Sequence, residues 1–112
     1  MASDKKFVEF VSEQIENAGE ISAKSMFGEY GLYADGKLFA LVCDNKLFIK
    51  PTNAGRDFIV NVVEASPYPG AKPSLLIEDK LEDRDWISEL VRQTVAELPE
   101  PKPKRPRTRK RL

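Results

Sequence analysis

The chain has 112 residues, of which 41% are hydrophobic and 32% are charged, a balance typical of one soluble globular domain. It contains one cysteine and no histidine, which excludes a disulfide framework, a cysteine-cluster metal site and catalytic machinery that depends on imidazole. The longest apolar run, Leu38 to Cys43, is too short to span a membrane, and no apolar secretion signal follows Met1. We therefore expect a cytoplasmic protein that is not an enzyme, with no metal, no cofactor, no membrane contact and no small-molecule substrate.

The 18 basic and 18 acidic residues cancel in number, but they are separated along the chain. From Pro99 onward there are seven basic residues and one acidic residue, so this segment has a net charge of +6 and the first 98 residues carry −6. Four prolines between Pro99 and Pro106 exclude a helix and favour extended chain. The sequence therefore predicts an acidic domain over 1–98 and a disordered basic tail over 99–112.

The first predicted element is a helix over 4–18 with Ser3 as its N-cap. Its apolar residues recur at helical spacing and Gly19 stands where a helix C-terminus uses glycine; they are Phe7, Phe10, Val11, Ile15 and Ala18.

From Ile21 the apolar pattern changes to the two-residue period of strands. Asp35-Gly36 separates two such runs and favours a type I′ hairpin turn, and a second tight turn is expected at Asp44-Asn45. Pro51 ends the run that follows. Four consecutive antiparallel strands, a meander, are predicted over 21–50.

Two-residue turns fix the register of this meander and so predict its two faces. Tyr33 pairs with Leu38, Val42 with Leu47 and Ala40 with Ile49, on one purely apolar face that packs against the helices. The second face is apolar in the middle and bordered by Lys37, Lys46 and Lys50. This second face is predicted either to be a partner or homodimer surface or to be covered by a folded-over helix; as a partner surface it is centred on Leu32, Phe39, Leu41 and Phe48.

Beyond the meander, Thr52 or Asn53 caps a second helix that continues through Phe58, Ile59, Val62 and Val63. A proline-rich turn segment follows and precedes a short strand over 74–77. An acidic stretch over 79–85 opens a third helix, whose buried stripe ends before Pro99; the stripe is Trp86, Ile87, Leu90, Val91, Thr94 and Leu98. The predicted fold class is α+β, an antiparallel sheet of four strands plus one short strand packed with three helices.

Three segments together resemble the N-terminal domain of the TfoX/Sxy family: Met26 to Tyr33, Gly36 to Leu41, and Lys46 to Lys50. Pro67 to Gly70 and a final helix that contains tryptophan are also similar to members of this family. The resemblance covers residues 5–98 and implies a sandwich similar to secretion-chaperone folds. It also implies a bacterial protein associated with the regulation of natural competence, here without the C-terminal domain of the full-length regulators. The family supplies no catalytic residues.

One thiol and one run of carboxylates could carry chemistry. Cys43 ends an apolar strand and is interpreted as a partly buried strand residue, not a reactive thiol. Five carboxylates lie within eight positions without a calcium-loop pattern and are interpreted as the solvated start of a helix, with docking of the basic tail as an alternative; they are Glu78, Asp79, Glu82, Asp83 and Asp85.

The basic tail carries the main functional prediction. Its cations can neutralise phosphates without reading sequence, and its extended form reaches roughly 40 Å at about 3.1 Å per residue. It contains no aromatic residue for base stacking. The predicted nucleic-acid-binding residues are Lys102, Lys104, Arg105, Arg107, Arg109, Lys110 and Arg111.

Two functions remain open from the sequence. The first is a regulatory protein, with a role in competence or transcription, that attaches non-specifically to nucleic acid through its tail. The second is a protein-interaction or chaperone-like module that uses the second sheet face, with a tail that only adds solubility.

Overall fold

The structure is a computed structural model and describes residues 4–26 and 29–99. Within these ranges three helices pack on one face of a six-stranded antiparallel sheet, whose strand order is β1-β2-β3-β4-β6-β5. The helices are α1 (Lys5–Gln14), α2 (Asn53–Ile59) and α3 (Arg84–Glu97), and a 3-10 turn, Glu16–Ala18, follows α1. The strands are β1 (Ile21–Met26), β2 (Glu29–Ala34), β3 (Lys37–Cys43), β4 (Lys46–Ile49), β5 (Glu64–Ala65) and β6 (Ser74–Ile77). This confirms the predicted α+β class, with one strand more than predicted.

The first helix starts one residue later than predicted, and its buried stripe is rotated. Ser3 lies outside the described residues, and the Asp4 carboxylate caps the helix by accepting the Lys6 N–H at 2.9 Å. Val8, Val11 and Ile15 are buried, whereas Phe10 was predicted to be in the core and is 37% exposed. The buried line therefore has the spacing i, i+3, i+7, and Phe10 lies beside it.

Both predicted hairpin turns are present. Asp35 and Gly36 have φ of 51° and 85°, and Asp44 and Asn45 have φ of 53° and 57°, as type I′ turns require. The turns fix the local pairing as expected: Tyr33 pairs with Leu38, Val42 with Leu47 and Ala40 with Ile49.

A bulge in β3 overturns the predicted assignment of faces. Leu32 pairs with Ala40 while Tyr33 pairs with Leu38, so Phe39 is an extra residue on β3 with no partner on β2. Strict alternation ends at this point, and both Phe39 and its neighbour Ala40 point into the core.

Two members of the predicted partner surface are consequently core residues. Leu32 and Phe39 have no exposed surface and belong to the main hydrophobic cluster, so they cannot contact a partner. Tyr33 and Leu38, which were predicted to face the helices, lie outside that cluster and are half-buried on the other face. The prediction assumed strict alternation along β3. A single inserted residue reverses the faces on which the residues before it lie, relative to the residues after it.

Lys37 also lies on a different face of the sheet from the one predicted. Its ammonium donates hydrogen bonds to the backbone oxygens of Val95 at 3.0 Å and Leu98 at 3.1 Å, at the C-terminus of α3. The Val95 oxygen also accepts the Leu98 N–H at 3.2 Å, and both oxygens lie at the negative end of the helix dipole. Lys37 therefore ties β3 to the last turn of α3 and does not border the outer face, as the sequence had predicted.

The second helix ends earlier than predicted. Val60 has φ 73° and ψ −64°, and the Asn61 N–H donates to the Ile59 oxygen at 2.9 Å, which makes a γ-turn. Val63 therefore lies beyond the helix, and its carbonyl accepts the Leu76 N–H of β6 at 2.8 Å. This turn redirects the chain from α2 to the sheet edge.

The third helix begins at Arg84, with the Asp83 carboxylate accepting the Trp86 N–H at 3.1 Å. Trp86 is half-buried and its ring lies 5.4 Å from that of Phe58. The predicted stripe is buried at four positions: Ile87, Leu90, Val91 and Thr94.

Helices α2 and α3 are joined by capping bonds. Thr52 caps α2 by accepting the Gly55 N–H at 2.9 Å. The carboxylate of Glu97, the last residue of α3, accepts the N–H groups of Asn53 at 2.9 Å and Ala54 at 2.8 Å. The Ala54 and Asn53 hydrogen bonds lower the pKa of Glu97, because they stabilise its charged form.

We expect Glu97→Gln to destabilise the protein near neutral pH and to have little effect in acid. The folded-state pKa of Glu97 is lowered, so its stabilisation is complete above the unfolded pKa of about 4.3 and is lost as pH falls through the folded value. Thermal melts of both proteins between neutral pH and about pH 3 test this. A difference in melting temperature that stays constant across the series would contradict it.

Thr94 is fully buried, and within the described residues its hydroxyl has no hydrogen-bond partner. We expect Thr94→Val, which keeps the shape and removes the hydroxyl, to raise the free energy of unfolding by about 1 kcal/mol. Thr94→Ser keeps the hydroxyl and loses the methyl group, so it should lower that free energy. Urea denaturation of the three proteins distinguishes these effects, and a destabilised Thr94→Val variant would refute the assignment.

Candidate partner surface on the outer face of the sheet

One face of the sheet lies opposite the helices. We call its apolar centre the outer-face patch: Tyr33, Leu38, Leu41, Phe48 and Leu76. Leu41, Phe48 and Leu76 form a continuous row across three strands, because Phe48 pairs with both leucines. Tyr33 and Leu38 form a neighbouring cross-strand pair below the bulge.

This patch is less buried than the helix-covered core. Tyr33, Leu38, Leu41 and Leu76 are half-buried, whereas the core-cluster residues on the same strands have 0–4% exposure. Phe48 is 5% exposed and lies in the centre of the row. The apolar surface that a partner could contact on this face is therefore mainly that of the four half-buried side chains.

Leu41 and Phe48 are therefore the two predicted partner residues that the structure places on this face. Tyr33, Leu38 and Leu76 belong to it but were not predicted. Leu76 was missed because β6 is far along the chain and joins β4 only through the tertiary fold. Tyr33 and Leu38 were missed because their assignment to this face depends on the bulge in β3.

Cations border the outer-face patch. Lys46, in β4, and Lys50, directly after β4, are exposed and lie two residues on either side of Phe48. The Lys24 ammonium lies 5.2 Å from the centre of the Tyr33 ring, within cation–π distance. The patch therefore combines apolar area with a positive border on a domain whose net charge is negative.

Cys43 lies at the end of β3 on this outer side and is 5% exposed. Burial raises the pKa of its thiol, and the negative charge of Glu29 raises it further. Lys46 pairs with Cys43 across the strands but does not reverse this shift. The interpretation of Cys43 as a buried strand residue is consistent with this geometry, since the thiolate is disfavoured.

The acidic residues before α3 do not converge on an ion site. All five carboxylates at positions 78–85 are exposed, and Asp83 is used as the α3 cap. In the described part of the chain no group of three or more Asp, Glu or Cys side chains has the geometry to hold a metal ion.

A small groove of about 200 Å³ lies at the β5–β6 end of the sheet and was not predicted from the sequence. The γ-turn residues Ile59 and Asn61, the strand residue Leu76 and the Trp86 ring line it. Lys80 reaches over that ring, with its ammonium 5.2 Å from the ring centre.

The seven predicted nucleic-acid-binding residues, Lys102 to Arg111, lie outside the described residues. Pro99 is exposed after the end of α3.

Among the described residues no helix combines the length and apolar character of a membrane span.

We expect Cys43 to react slowly with iodoacetamide in the native protein and rapidly after denaturation, because the folded thiol is buried and its pKa is raised. Glu29→Gln removes the nearby charge and retains an oxygen that can accept the Asp44 N–H, a bond of 3.0 Å in the structure. This variant should react faster than the wild type in the native state. Mass spectrometry of the alkylated fraction over time measures both rates, and equal rates in the two native proteins would contradict the role assigned to Glu29.

Comparison with known proteins agrees with this fold. Residues 13–98 match the model of the TfoX N-terminal domain. The chain is also 40% identical over 109 residues to a protein of Spirochaeta aurantia described as an uncharacterized 12.7 kDa protein in the trpE 5′ region, and the match covers 97% of this chain and 95% of that protein. Both the matched family model and this relative span most of the chain, and the chain belongs to the TfoX N-terminal domain family.

Proposed function

We propose that this protein is a non-enzymatic cytoplasmic regulator whose folded domain binds a protein partner and whose basic tail attaches it to nucleic acid. The matched family is a regulatory one, which supports the proposed role as a regulator of competence or transcription. The observation that carries the proposed attachment to nucleic acid is the separation of charge, +6 in residues 99–112 against −6 in the domain.

The tail is a better candidate for phosphate binding than the domain. The negative domain repels a polyanion at long range, whereas seven cations on a segment of 14 residues attract it. Binding of this kind releases counterions, so it depends strongly on salt and little on base sequence. The tail therefore supplies attachment, and the choice of target belongs to other parts of the protein or to its partner.

The outer-face patch is the proposed partner surface. Its row of Leu41, Phe48 and Leu76 supplies apolar area, and exposed Lys46 and Lys50 border it. Cations around an apolar centre favour a partner with acidic side chains around its own apolar contact.

The half-buried apolar side chains of the outer-face patch also favour a second candidate function, a protein-interaction or chaperone-like module in which the tail only maintains solubility. The two functions differ in one respect that can be measured, which is whether nucleic acid binding requires the tail cations.

The experiment compares the full chain with a full-length variant in which the seven tail cations are replaced by Gln. We expect the wild type to bind duplex DNA with log affinity falling against log salt at a slope of about −5, from about 0.9 for each phosphate neutralised. The tail variant should lose this binding, because its phosphate contacts are gone. Fluorescence anisotropy with labelled duplexes of two unrelated sequences measures affinity, slope and sequence dependence together.

A matched control replaces three exposed domain cations, Lys5, Lys6 and Lys72, with Gln. It also lowers the net charge but leaves the tail intact, so its slope should stay near that of the wild type. If the tail variant binds as tightly as the wild type, the tail is not the attachment site. If the wild type itself does not bind at low salt, the nucleic-acid proposal fails and the interaction module remains.

A further inference from the structure

The two edges of the sheet differ in how they are protected. At one edge β5 has two residues, and a proline-rich segment follows it. At the other edge β1 has six residues, contains no proline and pairs with β2 in unbroken register from Ile21↔Ala34 to Met26↔Glu29. Short strands, bulges, prolines and charged side chains are the usual devices that prevent edge-to-edge pairing, and of these β1 has only the charge of Lys24.

The direction of the β1 backbone groups follows from the ladder. The Asp35 N–H donates to the Glu20 oxygen at 2.9 Å, one residue beyond the Ile21↔Ala34 pair. Hydrogen-bonded pairs alternate along an antiparallel ladder, so Ser22 and Lys24 bond to β2 and Ile21, Ala23 and Ser25 present their N–H and C=O groups at the outer edge. In the described part of the chain no strand pairs with this edge.

The side chains of this edge are accessible on both faces. Ser22, Ala23, Lys24 and Ser25 are all exposed, although the rest of the sheet is covered by helices on one side. An incoming strand would therefore meet no side chain that must first be moved from a packed position. The small side chains of Ser22, Ala23 and Ser25 also leave room on both faces for the side chains of a strand paired at this edge.

We propose that β1 pairs antiparallel with β1 of a second copy, about a two-fold axis at Ala23. This register matches Ala23 with Ala23 and Ile21 with Ser25 and joins the two sheets through about six backbone hydrogen bonds. It also places Lys24 opposite Ser22 of the second copy, so the two lysines do not face each other.

Charge complementarity selects this partner. Glu20 is exposed and lies two residues before Ser22, so it is diagonal to Lys24 of the second copy. Diagonal neighbours on one face of a sheet are within reach of long side chains, and opposite charges there are stabilising. The symmetry produces the Glu20–Lys24 contact twice, and within one chain the two residues lie four positions apart on an extended strand, too far to pair.

Sedimentation velocity of the full chain, up to about 1 mM, tests the proposal, because pairing limited to one edge buries little area and should be weak. We expect reversible dimer formation in the wild type. Ala23→Pro removes an outward N–H that does not serve the β1–β2 ladder, so the monomer should fold normally and dimerisation should be lost. Ala23→Val keeps the N–H and is the matched control, which should still form dimers.

A charge exchange tests the register. Glu20→Lys and Lys24→Glu should each raise the dimer dissociation constant roughly tenfold, since each places two like-charge pairs across the axis. The double variant, Glu20→Lys with Lys24→Glu, restores opposite charges and should return to near the wild-type value.

Three outcomes would overturn the proposal. A wild-type chain that stays monomeric over the whole concentration range excludes the dimer. A dimer that survives Ala23→Pro forms through another surface, such as the outer-face patch. Effects of the two charge variants that simply add in the double variant exclude the Glu20–Lys24 register.

Discussion

The bulge at Phe39 is the constraint on which the rest of the structure depends. Because one extra residue enters β3 between its pairs with Leu32 and Tyr33, both Phe39 and Ala40 enter the core. The same insertion turns Lys37 toward the helices, where it satisfies two backbone oxygens at the end of α3. The contact of Lys37 with α3 and the place of Tyr33 and Leu38 in the outer-face patch therefore follow from one local irregularity in the ladder.

Hydrogen bonds at helix ends add to the hydrophobic packing of the helical layer. Glu97 at the end of α3 accepts two N–H groups at the start of α2, and Lys37 donates to carbonyls in the same last turn of α3. Unsatisfied groups at helix termini are costly when they are removed from water, so these contacts fix the three elements relative to one another. They also hold the segment before the basic tail, since α3 is followed by Leu98 and Pro99.

The outer-face patch and the β1 edge are the two surfaces of the folded domain to which binding is assigned in our proposals. The helices cover one side of the sheet, the outer-face patch occupies the other, and β1 forms an accessible edge between them. The proposed partner surface and the proposed dimer edge share Lys24, which lies over the Tyr33 ring and also belongs to β1. In the proposed dimer two tails would be present, and the proposed attachment would then gain through effective concentration without any new contact.

The sequence by itself determined the fold class, the meander, both type I′ turns and the buried stripe of α3, because these depend on local spacing and on residues that accept positive φ. It also determined the charge separation between domain and tail. Only the tertiary structure decided which face Leu32, Phe39 and Lys37 occupy, that Leu76 joins the row of Leu41 and Phe48, and that α2 ends at Ile59. Those outcomes depend on a bulge, a distant strand pair and a strained turn, which stable packing of the whole domain imposes and which no local pattern records.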